Sequence, residues 1–213
     1  MQPYFFPYLG YIQLMDLADI FVVFDCVQFP RRGWVHRNQF NMKSGKVDWV
    51  TLPILKGGRD ETRILDLRFV EKSSENLKSQ LEKTEAFTNL KNNPTMYNLV
   101  LNTNTDVTSY LCLTLEYISH ILELKTKFIR SSQMNIESNL KGQDRVLNIL
   151  SKLGATTYFN LSGGAKLYSQ DDFEKMNIEL KILHPYHGSQ ISILERLLRE
   201  DKEYLLSDLR SNY

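Results

Sequence analysis

Two prolines and a glycine set among five aromatics constrain this chain more than any other feature. Within Gln2-Pro3-Tyr4-Phe5-Phe6-Pro7-Tyr8-Leu9-Gly10-Tyr11 neither a helix interior nor a central strand can form. The pattern predicts a stiff loop that turns the backbone and presents aromatic faces. Behind it Leu14, Leu17 and Ala18 fall on one helical face. Residues 20–24 then form a continuous β-branched and aromatic run, as in a strand covered on both faces, and it ends at Asp25. Loop, helix and buried strand in this order resemble half of a βαβ unit.

Further along, Pro30 and Gly33 break the chain, and strands are expected over 49–54 and 63–69. The segment from 73 to about 125 has helical periodicity, with Leu111, Leu115, Ile118 and Ile121 stacked on one face of a long helix. A short strand near 128–132, an amphipathic helix over 143–154 closed by Gly154, and strands over 156–161 and 178–183 follow. Helical signals over 170–176, 192–199 and 202–209 complete the pattern. Strands separated by helices predict one α/β domain over 1–213 with a mostly parallel sheet and a helical insertion at about 73–125.

Lys+Arg 26 against Asp+Glu 25 leaves almost no net charge, which argues against general nucleic-acid binding. No apolar run approaches the roughly 20 residues that cross a bilayer, and no secretory leader precedes the first motif. Cys26 and Cys112 lie in apolar runs and are expected to be reduced thiols. A cytoplasmic location follows as an expectation, without membrane insertion.

Three places can carry chemistry. The first joins the loop to Asp25, Gln28, Arg31, Arg32, Trp34, His36, Arg37 and Asn38. Ligands collect beyond the carboxyl ends of parallel strands, where Asp25 falls. Guanidinium groups grip phosphate, and Trp34 or a loop tyrosine can stack on a base. The alternative is an ion pair between Asp25 and an arginine that fastens the loop. The second place is the turn Ser162-Gly163-Gly164-Ala165-Lys166, where small residues let backbone amides approach a phosphate. Its spacing is not that of a P-loop, and an ordinary strand-to-helix turn accounts for it equally well. The third is His184 and His187, candidate general bases. Their HxxH spacing has no accompanying carboxylate or cysteine, so no metal site is expected.

The QPxYFPxxGY-type opening (2–11), the DxVQ element (25–28), the RRxWxxRN tract (31–38), a WxTLP strand (49–53), the glycine-bounded segment 154–163 and a SILxxLL helix (192–198) together resemble the WbqC-like family of bacterial O-antigen and surface-glycan clusters. Relatives carry apolar residues ahead of the first Gln-Pro that form an opening strand, where this chain has Met1. Many have a second aspartate in place of Cys26, and asparagine is commoner than His36. The resemblance implies a transferase of lipopolysaccharide O-antigen biosynthesis that moves an N-acyl or aminoacyl group onto a nucleotide-linked amino-sugar. The donor would ride on a carrier, an acyl carrier protein among the partners. Gln2, Tyr4, Tyr8, Gly10, Tyr11, Gln28, Arg31, Arg32, Trp34, His36, Arg37, Asn38, Ser162, Gly163 and Lys166 would bind substrate, with Asp25, His184 or His187 as base. FPYLGY followed by a helix and a strand is also similar to the loop of HIGH-type nucleotidyltransferases, with Tyr8 and Tyr11 at the two histidine positions. That likeness implies a Rossmann-like, HUP-like half-sheet. It also raises the alternative of an adenylating enzyme using ATP and magnesium, and a non-catalytic sugar-nucleotide-binding protein is a further alternative from a different class.

Overall fold

Pro7 and Tyr8 close the opening loop and release α1 (Leu9–Leu17), whose residues from Leu9 to Met15 are all buried. The computed structural model describes residues 1–30, 32–55, 57 and 62–211. α1 leads into β1 (Ile20–Val23), which pairs in parallel with β4 (Lys127–Arg130), Ile20 opposite Lys127 and Val23 opposite Arg130. β2 (Arg37–Asn41) and β3 (Val47–Thr51) form an antiparallel hairpin. Its turn places Gly45 at φ +78, which glycine adopts without the Cβ penalty. β5 (Thr157–Leu161) and β6 (Glu179–Leu183) make a second parallel pair.

Between β3 and β4 lie α2 (Ser73–Leu81), α3 (Phe87–Lys91), α4 (Pro94–Leu101) and α5 (Val107–Ile121). Asn93 and Asp106 cap the last two by accepting from the amides of Met96 and Ser109. α6 (Gly142–Leu153) stops at Gly154 in the left-handed region, φ 62. α7 (Gln170–Glu174) links β5 to β6, and α8 (Ile193–Leu197) and α9 (Lys202–Arg210) end the described chain. The main core gathers Phe5, Phe6, Tyr11, Phe21, Phe40, Tyr110 and Leu115. A smaller one, Val146, Leu150, Phe173 and Ile178, underlies β5 and β6.

The architecture is mixed α/β. In place of one continuous, mostly parallel sheet, the described strands form three two-stranded sheets. Residues 63–69 were expected as a strand; instead Ile64–Asp66 is a single 3-10 turn, flanked by isolated bridges from Arg63 to Gln28 and from Phe69 to Ile54. The ion pair from Arg63 Nε to Asp66 Oδ2, 2.8 Å, joins residues three apart and so suits a helical turn. Residues 37–41 carry Phe40 as their lone apolar side chain, so the alternation that marks a strand is missing from β2.

Candidate ligand cleft

The opening loop is held from three sides. Phe5 and Phe6 are fully buried, and Phe6 has φ 39, in the left-handed region that a bulky residue rarely enters. Strain of that kind persists only where neighbours fix it. Here Asn38 Nδ2 donates to the carbonyls of both Phe5 and Phe6, and Ser192 Oγ donates to Phe6 at 2.8 Å. Gly10 leaves room for Tyr186; a Cβ there would stand 2.5 Å from the Tyr186 Cβ. The loop therefore packs on the segment after β6 as closely as backbone allows.

Between α1 and β1 on one side and α6 and β5 on the other runs a cleft of about 1000 Å³. The polar and aromatic lining residues Gln2, Tyr4, Tyr8, Trp34, Ser162, Gly163, Gly164 and Gln190 are half-buried or exposed and mark its mouth, with Asn160 buried among them. Tyr8 and Trp34 lie 5.6 Å apart at an angle of 55°, and Trp34 meets Trp49 edge-on at 5.1 Å. Deeper in, the walls are Leu14, Leu17, Phe21, Val146, Ile149, Leu150 and Leu153. Among the described lining residues there is no Lys, Arg or His, and Asp19 is the single carboxylate.

Of the residues singled out in the sequence, Gln2, Tyr4, Tyr8, Trp34, Ser162 and Gly163 line this cleft. The others do not. Tyr11 is buried, stacks on Tyr4 at 4.9 Å and donates to the Gln2 carbonyl at 2.8 Å; Gly10 is buried beneath Tyr186. Asn38 is spent on the loop carbonyls. Arg37 lies over the Trp49 ring at 4.3 Å and donates to the carbonyls of Gly33 and Arg32, which makes it a brace of the tract. His36 sits edge-on to Phe29 with its Nδ1 buried and unpartnered, and burial first, then the Arg37 charge, lowers its pKa to about 4. Gln28, Arg32, Lys166, His184 and His187 are exposed. Arg31 lies outside the described residues. Gly164, inside the small-residue turn, also lines the cleft; Asn160 and Gln190 join without a sequence signal of their own, Asn160 two residues ahead of that turn and Gln190 far from it.

Asp25 is fully buried at the end of β1, away from the cleft. Its carboxylate accepts from Arg130 Nε at 2.9 Å, Ser131 Oγ at 2.9 Å, the Ser132 amide at 2.9 Å and Ser132 Oγ at 2.7 Å. Every lone-pair direction of the group is occupied. Ser131 also accepts from the Asp25 amide and lies 3.2 Å from the Cys26 sulfur. Among the described residues no cluster of His, Cys, Asp and Glu is placed to hold a metal, and no helix is long and apolar enough to cross a membrane.

The fold and cleft define a mixed α/β protein with a cleft of aromatic, polar and apolar side chains running along β1 and β5. The chain belongs to the WbqC-like protein family, which matches residues 2–192. It is also similar to the Uncharacterized protein Rv1507c of Mycobacterium tuberculosis, with 31% identity over 64 residues. That match covers 30% of this chain and 27% of the relative, so only about a quarter of that protein is spanned. No solved structure matches the chain.

Proposed function

We propose that the protein is a transferase of bacterial surface-glycan biosynthesis that acylates the amine of a nucleotide-linked amino-sugar. One observation carries the reading: the Tyr8–Trp34 pair stands at the cleft mouth with the Ser162-Gly163-Gly164 turn that follows β5. Aromatic faces take a sugar or base, and small residues at the end of a parallel strand admit a phosphate to the backbone amides. In this reading β1 with β4 and β5 with β6 are halves of one Rossmann-like sheet. His184 and His187 are exposed on either side of Tyr186, whose ring lies 6.1 Å from Tyr8, and in this reading one of them takes the proton of the sugar ammonium. The freed amine attacks the acyl carbonyl and the carrier thiol leaves. Alignment of the two substrates suffices, without an acyl-enzyme.

A second reading is a sugar-nucleotide-binding protein without turnover. It is favoured by the cleft lining, which has no cationic side chain among its described residues. Calorimetric titration with a panel of nucleotide sugars, repeated on Trp34→Ala, tests both. The expected result is binding that Trp34→Ala weakens about tenfold or more; equal affinity removes the cleft mouth from the site. Release of free carrier thiol on mixing with an acyl donor separates the transferase from the binder, and magnesium-dependent pyrophosphate release from ATP would point to an adenylating enzyme instead.

A further inference from the structure

Asn160, near the end of β5, is 8% exposed and lines the cleft. Half of its amide has a structural task, because Oδ1 accepts from the Leu161 amide at 2.8 Å. The other half has none: Nδ2 has no acceptor among the described residues. A donor on a largely buried side chain is costly to leave unpaired, so its freedom calls for a reason.

Gly164 shows that this donor is kept open. A Cβ at Gly164 would stand 2.5 Å from Asn160 Nδ2. The Gly164 backbone is outside the left-handed region, so its conformation does not demand glycine. What demands it is the space in front of the amide. Strand and turn together leave one N–H₂ group uncovered at the cleft mouth.

The surroundings select what meets it. Gln2, Ser162 and Gln190 bring neutral hydrogen-bonding groups to the same mouth, and Tyr8 and Trp34 bring ring faces. The described lining holds no cation, and its carboxylate, Asp19, stands before β1, whereas Met1 and the opening loop meet the other end of that strand. A phosphate set against these side chains gives up water with no counter-charge in return. A sugar ring brings hydroxyl groups that donate as well as accept, which carboxamides match, and an apolar face for the aromatic rings. The ammonium of an amino-sugar is drawn to those rings and meets no like charge.

We propose that Asn160 is the specificity-determining donor of a sugar subsite at the cleft mouth. Its Nδ2 donates to a ring hydroxyl of the amino-sugar while Trp34 and Tyr8 pack on the apolar face of the ring. The inference rests on the reading of the substrate as a nucleotide-linked amino-sugar. It adds which part of that substrate the side chains recognise: the sugar, with the phosphates left to backbone amides and solvent.

The test turns on an isosteric change. Asn160→Asp keeps the oxygen that accepts from Leu161 and removes only the free donor, and Gly164→Ala crowds Nδ2 without altering Asn160. Methyl glycosides of glucosamine and galactosamine, dimethyl phosphate and uridine are titrated separately into the labelled protein. Nitrogen-resolved NMR follows the Asn160 side-chain amide and the Trp34 indole. A glycoside is expected to shift both signals, and dimethyl phosphate and uridine neither. Each variant is expected to weaken the glycoside response at Trp34 about tenfold or more. Slow exchange of the Leu161 amide in Asn160→Asp confirms that the structural bond survives; if that variant fails to fold, Gly164→Ala is held to the same outcome. A response to dimethyl phosphate or uridine in place of the glycosides, an Asn160 amide silent to every probe, or unchanged glycoside affinity in the variants overturns the proposal. The two readings fail separately. Nucleotide sugars bound through Trp34 with equal affinity by the wild type and Asn160→Asp remove the subsite alone. Glycosides bound through Asn160, with no acyl transfer from a carrier thioester, keep the subsite and remove the transferase.

Discussion

Arg130 and Asp25 face each other from the ends of neighbouring parallel strands, Nε to Oδ2 at 2.9 Å, with Asp25 wholly inside and the arginine side chain 27% exposed. The pair closes a knot in which Ser131 and Ser132 fill the remaining acceptor sites of the carboxylate. Removing Asp25 leaves a partly buried guanidinium and three other donors without their acceptor. Asp25→Ala is therefore expected to cost about 3 kcal/mol, and Asp25→Asn less, because an amide oxygen keeps part of the network. Urea denaturation at pH 7 measures it. A loss under about 1 kcal/mol would mean that the carboxylate is not what fastens β1 to β4.

Asn38 ties the arginine tract to the opening loop. Its amide donates to the Phe5 and Phe6 carbonyls, and its oxygen accepts from the Gln39 amide at 2.8 Å. With Asn38 1% exposed, none of these groups can turn to water instead. Asn38→Asp places a negative charge against two carbonyls and should destabilise by about 2 kcal/mol or more, beyond the loss for Asn38→Ala. A calorimetric scan of both variants checks the order; Asp tolerated better than Ala would contradict the assigned donors.

What the sequence disclosed and what it hid differ by distance along the chain. α5 was legible because Leu111, Leu115 and Ile118 recur at helical spacing and Asp106 caps the start, all local signals. Gly154 marked the end of α6 for the same reason. The partner of Asp25 was hidden. The tract offers arginines close by in sequence, yet Arg130 lies 105 residues away and is brought close only because β1 and β4 pair in parallel. The cleft shows the same split: Tyr8 and Trp34 stand out locally, whereas Gln190 reaches the mouth through a fold that no local pattern encodes.

His36 gives the fold a pH dependence. Burial, and then the neighbouring Arg37, lowers its pKa from 6.5 to about 4, so the folded protein holds it neutral. Between those values the unfolded chain binds the extra proton and the folded chain does not. Stability is thus full above about pH 6.5 and declines as pH falls toward 4, by at most about 1.4 kcal/mol per pH unit at this site. His36→Phe, which keeps the contact with Phe29, should flatten that part of the profile. Parallel slopes for the two proteins between pH 4.5 and 6.5 would show that other groups govern it.

The two thiols should separate cleanly by reactivity. Cys112 is 8% exposed on α5, and burial pushes its pKa up to about 12, so at pH 8 almost none of it is thiolate, the form that reacts. Cys26 is half-buried beside the Asp25 knot, its sulfur 3.2 Å from Ser131 Oγ and 3.8 Å from Arg145 Nη1. Its partial access favours attack. Iodoacetamide at pH 8 should therefore label Cys26 first and reach Cys112 only as the protein unfolds, which peptide mass spectrometry resolves. Because the Cys26 side chain abuts the carboxylate network, its alkylation should also lower Tm, as Asp25→Ala does; early labelling of Cys112 would mean that α5 opens in the native state.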